Sequence, residues 1–314
     1  MKSVLVTSIG SSTAVNFIKL LKKKYRIIGC DINNYGYTSG SMMVDKYYKV
    51  SLSSNKKYIE ELVDIIKRED VKAIIPIHDE EIYQISKNKN KIEETGVKVL
   101  VSEVEYIELF RDKYVASKVV EKLGVKVPKI FEGETPINKQ KLIKREKVSV
   151  GSKGIEILDD WNENISIDTQ KEFLQEYVEG NEYTVDILNY GDEEALIIPR
   201  LRMEIKSGVA TKVRIEKNEE LISACKKILE EYPIMGFSNI QFIKDKNNNI
   251  YFIELNPRFG GMSISSVLAS DNYVELYVEK MIEDGDSIKS IKDIDIKWNS
   301  VVTRYFEEKI FYES

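Results

Sequence analysis

The stretch Ile250-Tyr251-Phe252-Ile253-Glu254-Leu255-Asn256-Pro257-Arg258-Phe259-Gly260-Gly261 decides how the rest of the chain is read. It begins as a β-branched and aromatic run, and Phe237 to Ile243 before it reads the same way. The intervening Lys244-Asp245-Lys246-Asn247-Asn248-Asn249 is rich in turn formers, so the two runs form a hairpin. Residues two apart on a strand share a face. Glu254 and Asn256 therefore point to one side, Leu255 points to the core, and Gln241 lies across from the pair. A carboxylate with amide oxygens suits Mg²⁺, or Mn²⁺, when nucleotide phosphates supply the remaining ligands. Arg258 shares that side and can hold a transferring phosphoryl group. An isolated Glu-x-Asn is equally an ordinary wet hairpin face. The arginine and two glycines that follow let backbone approach an anion closely, which a structural hairpin does not require.

Working back toward the start, residues 1 to about 105 alternate strand and helix: KSVLVTS, a helix from Thr13 to Lys24, YRIIGCD, a helix near 56 to 69, VKAIIPI, a helix near 80 to 94, and VKVLVS. That alternation predicts a parallel sheet with helical crossovers. Ligands of such sheets bind beyond the carboxyl ends of the strands, where Ser8 to Ser12, Asp31 and His78 to Glu81 fall. A helix from about Asp112 to Leu123 ends at Gly124. Between about 126 and 216 the short alternating segments KLIKRE, GIEIL, EFLQEYV, EYTVDIL and ALIIPRLRMEI read as antiparallel strands. A helix over Glu219 to Glu231 precedes the hairpin, and 263 to 283 reads as helix.

Two further segments can meet a nucleotide. Val148-Ser149-Val150-Gly151-Ser152-Lys153-Gly154 lies between two predicted strands, with Lys144 on the first; its N–H groups can cradle phosphates, and a plain hairpin turn is the bland alternative. In Gln175-Glu176-Tyr177-Val178-Glu179-Gly180-Asn181-Glu182, a strand edge offers a C=O and an N–H to adenine, and the carboxylate past the turn can reach ribose hydroxyls. Read singly, it is a strand and a turn.

Taken in order, these features resemble the ATP-grasp superfamily, in the branch of the carbamoyl phosphate synthetase large subunit and small carboxylate–amine ligases. The resemblance implies a mixed α/β and α+β chain: a pre-ATP-grasp, Rossmann-like parallel sheet domain over 1–110, then a two-lobed ATP-grasp domain over 111–314. The small, flexible lobe would span about 125–180 and the larger lobe about 181–314. It implies Lys113 and Lys144 on phosphate oxygens, with Ser149, Gly151, Ser152 and Lys153 in the phosphate loop. Gln175, Glu176, Tyr177 and Val178 would meet adenine, Glu182 the ribose, and Gln241, Glu254 and Asn256 the metal. Arg258, with Lys144, would act on the γ-phosphoryl group or acyl phosphate. Where many relatives have Lys-Pro before the loop, this chain has Lys144-Arg145, and its loop carries fewer glycines. The implied reaction is ATP-dependent and ADP-forming: a carboxylate is activated as an acyl phosphate for attack by an amine. The alternatives are a carbamoyl phosphate synthetase-like subunit acting on bicarbonate or carbamate, or a nucleotide-binding regulatory protein without catalysis.

Weaker candidates lie on the substrate side. Ser8 to Ser12 holds one of the three glycines of a dinucleotide fingerprint, which argues against NAD; the resemblance implies instead that this domain helps form the substrate site, with Gly10, Ser11 and Asp31 on the substrate side. His78 joins them, although Asp79 capping a helix is the default reading of that turn. Arg200 and Arg202 share a strand face and suit a substrate carboxylate or phosphate as well as they suit solvated pairing with Glu204 or Glu216.

Composition sets the outer limits. The 47 basic and 52 acidic residues leave a net charge of −5, with lysines scattered among glutamates, so no nucleic-acid partner is expected. No apolar run reaches the ~20 residues a bilayer helix needs, and the expectation is a cytoplasmic protein acting on small-molecule acid and amine substrates. A homodimer is left open. A single histidine, His78, and two distant cysteines, Cys30 and Cys225, exclude multi-histidine metal sites and a disulfide framework.

Overall fold

The computed structural model describes residues 1–132, 141–149, 154–159, 165–191, 194–206, 208–282 and 289–313. All four residues of β1 (Ser3–Val6) are buried, as a strand covered on both faces requires. α1 (Ser12–Leu21) starts where the Ser11 hydroxyl accepts the Ala14 N–H at 3.1 Å. β2 (Arg26–Asp31), β3 (Lys46–Lys49), α2 (Tyr58–Arg68) and β4 (Val71–Ile75) complete a parallel sheet of order β3-β2-β1-β4. β3 escaped the sequence reading because its KYYK is an edge strand with no buried residue.

The expected helix over 80 to 94 is two, α3 (Asp79–Lys87) and α4 (Lys89–Glu93). Asn88 divides them, its side-chain amide donating back to the Gln84 carbonyl at 2.8 Å. Asp79 does not cap α3. His78 occupies that place, and the Glu81 carboxylate returns to its N–H at 3.1 Å.

VKVLVS is not a fifth strand and makes only a bridge between Ala73 and Lys98. Its groups are committed elsewhere: the Leu100 carbonyl accepts the Tyr277 hydroxyl at 2.8 Å, and the Ser102 hydroxyl accepts the Met235 N–H at 2.9 Å. A further helix, α5 (Val104–Arg111), then leads into α6 (Lys113–Lys122), capped by Asp112 on the N–H groups of Tyr114 and Val115.

β5 (Ile130–Phe131), β6 (Leu142–Glu146), β7 (Ile155–Leu158) and β8 (Glu172–Glu176) form an antiparallel sheet of order β5-β8-β6-β7. The remaining strands build a larger one. β9 (Gly180–Asn189), β10 (Leu196–Lys206) and β11 (Val209–Ile215) precede α7 (Glu219–Glu231), followed by the expected hairpin of β12 (Gly236–Asp245) and β13 (Ile250–Asn256). The Asp245 carboxylate closes the hairpin on the N–H groups of Asn247 and Asn249, both at 2.8 Å. α8 (Ile264–Leu268) and α9 (Tyr273–Ile282) replace the single helix expected over 263 to 283. They separate at Ala269, whose carbonyl accepts the Lys297 N–H at 2.7 Å. β14 (Val301–Thr303) gives the order β13-β12-β9-β10-β11-β14.

Alternation explains why this sheet positions a site. Val185, Ile187, Ile240 and Leu255 point into one core, with α6 and α7. Leu188, Ile198 and Phe237 point into another, shared with α1, α9 and the first sheet. On that second face the polar residues Glu182, Thr184, Asp186, Asn239, Gln241, Glu254 and Asn256 are neighbours by register.

After β14 the chain runs back to the first sheet. Glu307 meets Lys19 at 2.7 Å, and the Phe311 ring packs edge-on against Tyr35 at 5.7 Å. Gly36 is required there: its φ is +87° and a Cβ would lie 2.3 Å from Phe311. Among the described residues no helix is long and apolar enough to cross a membrane. Cys30 and Cys225 are buried, unbonded thiols whose pKa values burial raises.

Candidate active site

The polar face of the large sheet floors a cleft of about 740 Å³, roofed by the smaller antiparallel sheet. Toward one end Ile157, 52% exposed, and Ile143 make an apolar wall beside Gln175 and the Glu176–Val178 edge, which Ile155, 42% exposed, continues alongside Arg145. Exposed isoleucines two apart on one strand are costly without a partner, and a flat aromatic ring would cover them. The Tyr177 N–H is engaged by the Lys141 carbonyl at 3.2 Å. Polar recognition there falls to the flanking Glu176 and Val178.

At the other end Glu254 is the hub. Its Oε1 accepts from Gln241 Nε2 at 2.9 Å and Asn256 Nδ2 at 3.0 Å, and its Oε2 from Arg145 Nη2 at 2.8 Å. A bulge sets this geometry: Gln241 pairs with Glu254 and Phe242 with Phe252, so Ile253 is the extra residue. Its carbonyl accepts Arg145 Nη1 at 3.1 Å. Leu255 is buried on the far side, as expected.

Arg145 is the residue that the sequence reading passed over. Along β6 alternate side chains diverge, so Ile143 and Arg145 face the cleft while Lys144 does not line it and pairs with Glu156 at 2.7 Å on the other side. The alternation of LIKRE was the available signal. Arg145 is 3% exposed, and its Nε is a buried N–H without a partner among the described residues. Burial lowers its pKa and the Glu254 charge opposes that. An orphaned, buried guanidinium N–H facing a cleft calls for an anionic ligand. Methionine at 144 is therefore expected to leave kcat/KM within about twofold, whereas Arg145→Met should lower it by about 10²-fold or more, measured as ADP release.

Lys113 lies behind this cluster. Its ammonium donates to the Ser149 carbonyl at 2.6 Å, and desolvation lowers its pKa against the pull of Glu254. Among the described residues the buried Ser149 hydroxyl has no partner. Gly151, Ser152 and Lys153 lie outside the described residues. Glu182 lines the cleft with its carboxylate on Arg202. Arg200 also lines it, but pairs at 2.8 Å with Asp186, both 3% exposed. Asp186 further accepts the hydroxyls of Ser263 and Ser266. It thereby fastens the Arg258–Gly261 turn, since Ser263 Oγ accepts the Gly260 N–H at 2.9 Å.

Gly10, Ser11, Asp31 and His78 line a second cavity of about 490 Å³ at the carboxyl edge of the parallel sheet. Asp31 accepts the Gly10 N–H at 2.8 Å. Asp79, which also lines this cavity, reaches out to Arg258, with Nε to its two oxygens at 2.8 and 2.9 Å. Arg258 thus stands between the two spaces.

The donor chemistry fits a magnesium ion. Glu254 supplies a carboxylate, and Gln241 and Asn256 have amides already converging on it whose oxygens a half-turn would present. Among the described residues no cluster of three or more His, Cys, Asp or Glu offers an all-carboxylate alternative.

A family model described as ATP-grasp in the biosynthetic pathway with Ter operon matches residues 168–302, and one described as the PylC-like N-terminal domain matches residues 4–100. The carbamoyl phosphate synthase large chain of Clostridium acetobutylicum is 25% identical over 283 residues, 81% of this chain and 25% of that protein. That of Pyrococcus furiosus is 25% identical over 298 residues, 86% of this chain and 27% of its own. The chain thus spans about a quarter of the length of these curated relatives. Among solved structures, biotin carboxylase from Campylobacter jejuni superposes with a TM-score of 0.73 at 16% identity, covering 94% of this chain and 73% of that one. N5-carboxyaminoimidazole synthetase from Staphylococcus aureus, complexed with ADP, gives 0.73 at 15% identity, covering 97% and 82%.

Proposed function

Because this chain belongs to the ATP-grasp superfamily, we propose that it is an ADP-forming ligase that activates a carboxylate as an acyl phosphate and passes the acyl group to an amine. The carrying observation is the gradient along one cleft: Ile143, Ile157 and the Gln175–Val178 edge come first, then Ile155 beside Arg145, and then Glu254 with Gln241, Asn256 and Arg258. Adenine lies against Ile143, Ile155 and Ile157 with Glu176 and Val178 at its edge, and Glu182 meets the ribose. Arg145 and Lys113 meet the phosphates. Gln241, Glu254 and Asn256 would hold Mg²⁺, which neutralises phosphate charge when bound. Arg258 holds the γ-phosphoryl group as it moves, its geometry fixed by Asp79 and the Asp186-anchored turn. The substrate carboxylate attacks the γ-phosphorus and the bond to the β-phosphate oxygen breaks, releasing ADP. The amine then attacks the acyl carbon, and phosphate leaves. Residues 1–110 contribute the substrate side, through the second cavity.

The test uses an acid labelled with ¹⁸O in its carboxylate, in a panel that includes bicarbonate, the substrate class suggested by the carbamoyl phosphate synthase relatives. Turnover is expected to place one labelled oxygen in the released phosphate, because the acyl C–O bond breaks. Label in AMP would mean adenylation, and unlabelled phosphate would mean that the acid is never phosphorylated.

A further inference from the structure

Four arginines of the cleft each face one carboxylate: Arg145 with Glu254, Arg200 with Asp186, Arg202 with Glu182, and Arg258 with Asp79. A fifth does not. Arg304 follows β14, which places its backbone N–H on the Thr211 carbonyl at 2.8 Å, and its guanidinium donates to the Gly261 carbonyl. Among the described residues it has no carboxylate partner. Gly261 lines the cleft just past Arg258, and a Cβ there would meet nothing within 4 Å, so open space lies beside the turn that Arg304 grips. Val209, Ala210 and Met262 also line the cleft. Half-burial lowers the Arg304 pKa, and repulsion from Arg200 lowers it further.

We infer that Arg304, beside Arg200, seats a second anionic group on the acid substrate, so that the acid to be phosphorylated is a dianion of short chain, either a dicarboxylate or a phosphonate-bearing carboxylate. The inference rests on the ligase reading and goes beyond it. One anionic end of the acid reaches Arg258 and the phosphoryl group, and the other meets the forked donors of Arg304, whose planar fork matches a carboxylate or phosphonate. Arg304, half-buried and without a carboxylate partner among the described residues, would otherwise remain an uncompensated charge next to another arginine.

Calorimetry on the full chain with the MgATP analogue AMPPNP tests this. Succinate, glutarate and 3-phosphonopropanoate are compared with butanoate and pentanoate. At least one dianion is expected to bind ten-fold or more tighter than its monoanionic counterpart, and R304Q should erase that preference while leaving AMPPNP affinity within twofold. The carboxylate and phosphonate arms identify which anionic group is preferred. No dianion preference in the wild type, or a preference that survives in R304Q, overturns the inference. AMPPNP binding lost only in R304Q would also overturn it, by placing Arg304 on the nucleotide. Failure of the wild type to bind AMPPNP would instead sink the ligase reading. If R304Q does not fold, the wild-type comparison decides alone.

Discussion

Glu254→Gln is expected to reduce kcat by about 10³-fold, because it removes the only carboxylate from the proposed metal set and so the charge that would hold the ion against the phosphates. Shape is conserved, and the new amide oxygen can still accept Arg145 Nη2, which lies 2.8 Å from Oε2. The cleft should therefore admit nucleotide as before. AMPPNP affinity without metal should change by less than about threefold, since the isoleucine wall and the Gln175–Val178 edge are untouched. Steady-state ADP release alongside equilibrium nucleotide binding separates the two quantities. Equal losses in both would mean that Glu254 acts through the fold and not through a metal.

Asp186→Ala should cost about 3 to 5 kcal/mol of stability, because it strands Arg200 as an unpaired buried charge. Both partners are 3% exposed, and Asp186 also accepts Ser263 and Ser266. Chemical denaturation measures this directly. Replacing both partners by apolar residues of similar size, as in Asp186→Leu with Arg200→Met, should recover most of the loss. A cost below about 1 kcal/mol for the single change would show that the pair adds nothing to the fold.

Much of this was legible in the residues. The hairpin and the shared face of Glu254 and Asn256 follow from a period of two and an Asx-rich turn, whereas the bulge at Ile253, which sets Glu254 opposite Gln241 and off the face of Phe252, was not legible. The parallel sheet followed from strand–helix alternation. What could not be read was tertiary commitment. VKVLVS has strand periodicity, yet its carbonyl at Leu100 and hydroxyl at Ser102 serve α9 and Met235, just before β12. Asp79 has cap chemistry, yet its carboxylate is drawn off by Arg258, 179 positions away. Alternation sets Lys144 and Arg145 on opposite faces of one strand, but which face meets the cleft is decided by the sheet packing, which leaves Lys144 to pair with Glu156. Arg304 carries no local signal, because its setting is made by a turn 43 residues earlier.

The Asp79–Arg258 contact gives the two cavities a common currency. A phosphoryl group that draws Arg258 to itself deprives Asp79 of its counter-charge, and Asp79 then presents a full negative charge to the second cavity. That cavity should therefore favour an ammonium more strongly once nucleotide is in place. Linkage is reciprocal, so a cationic amine must tighten nucleotide by the same factor. Asp79→Asn should uncouple the two, making their dissociation constants independent of one another when each is titrated at saturating levels of its counterpart.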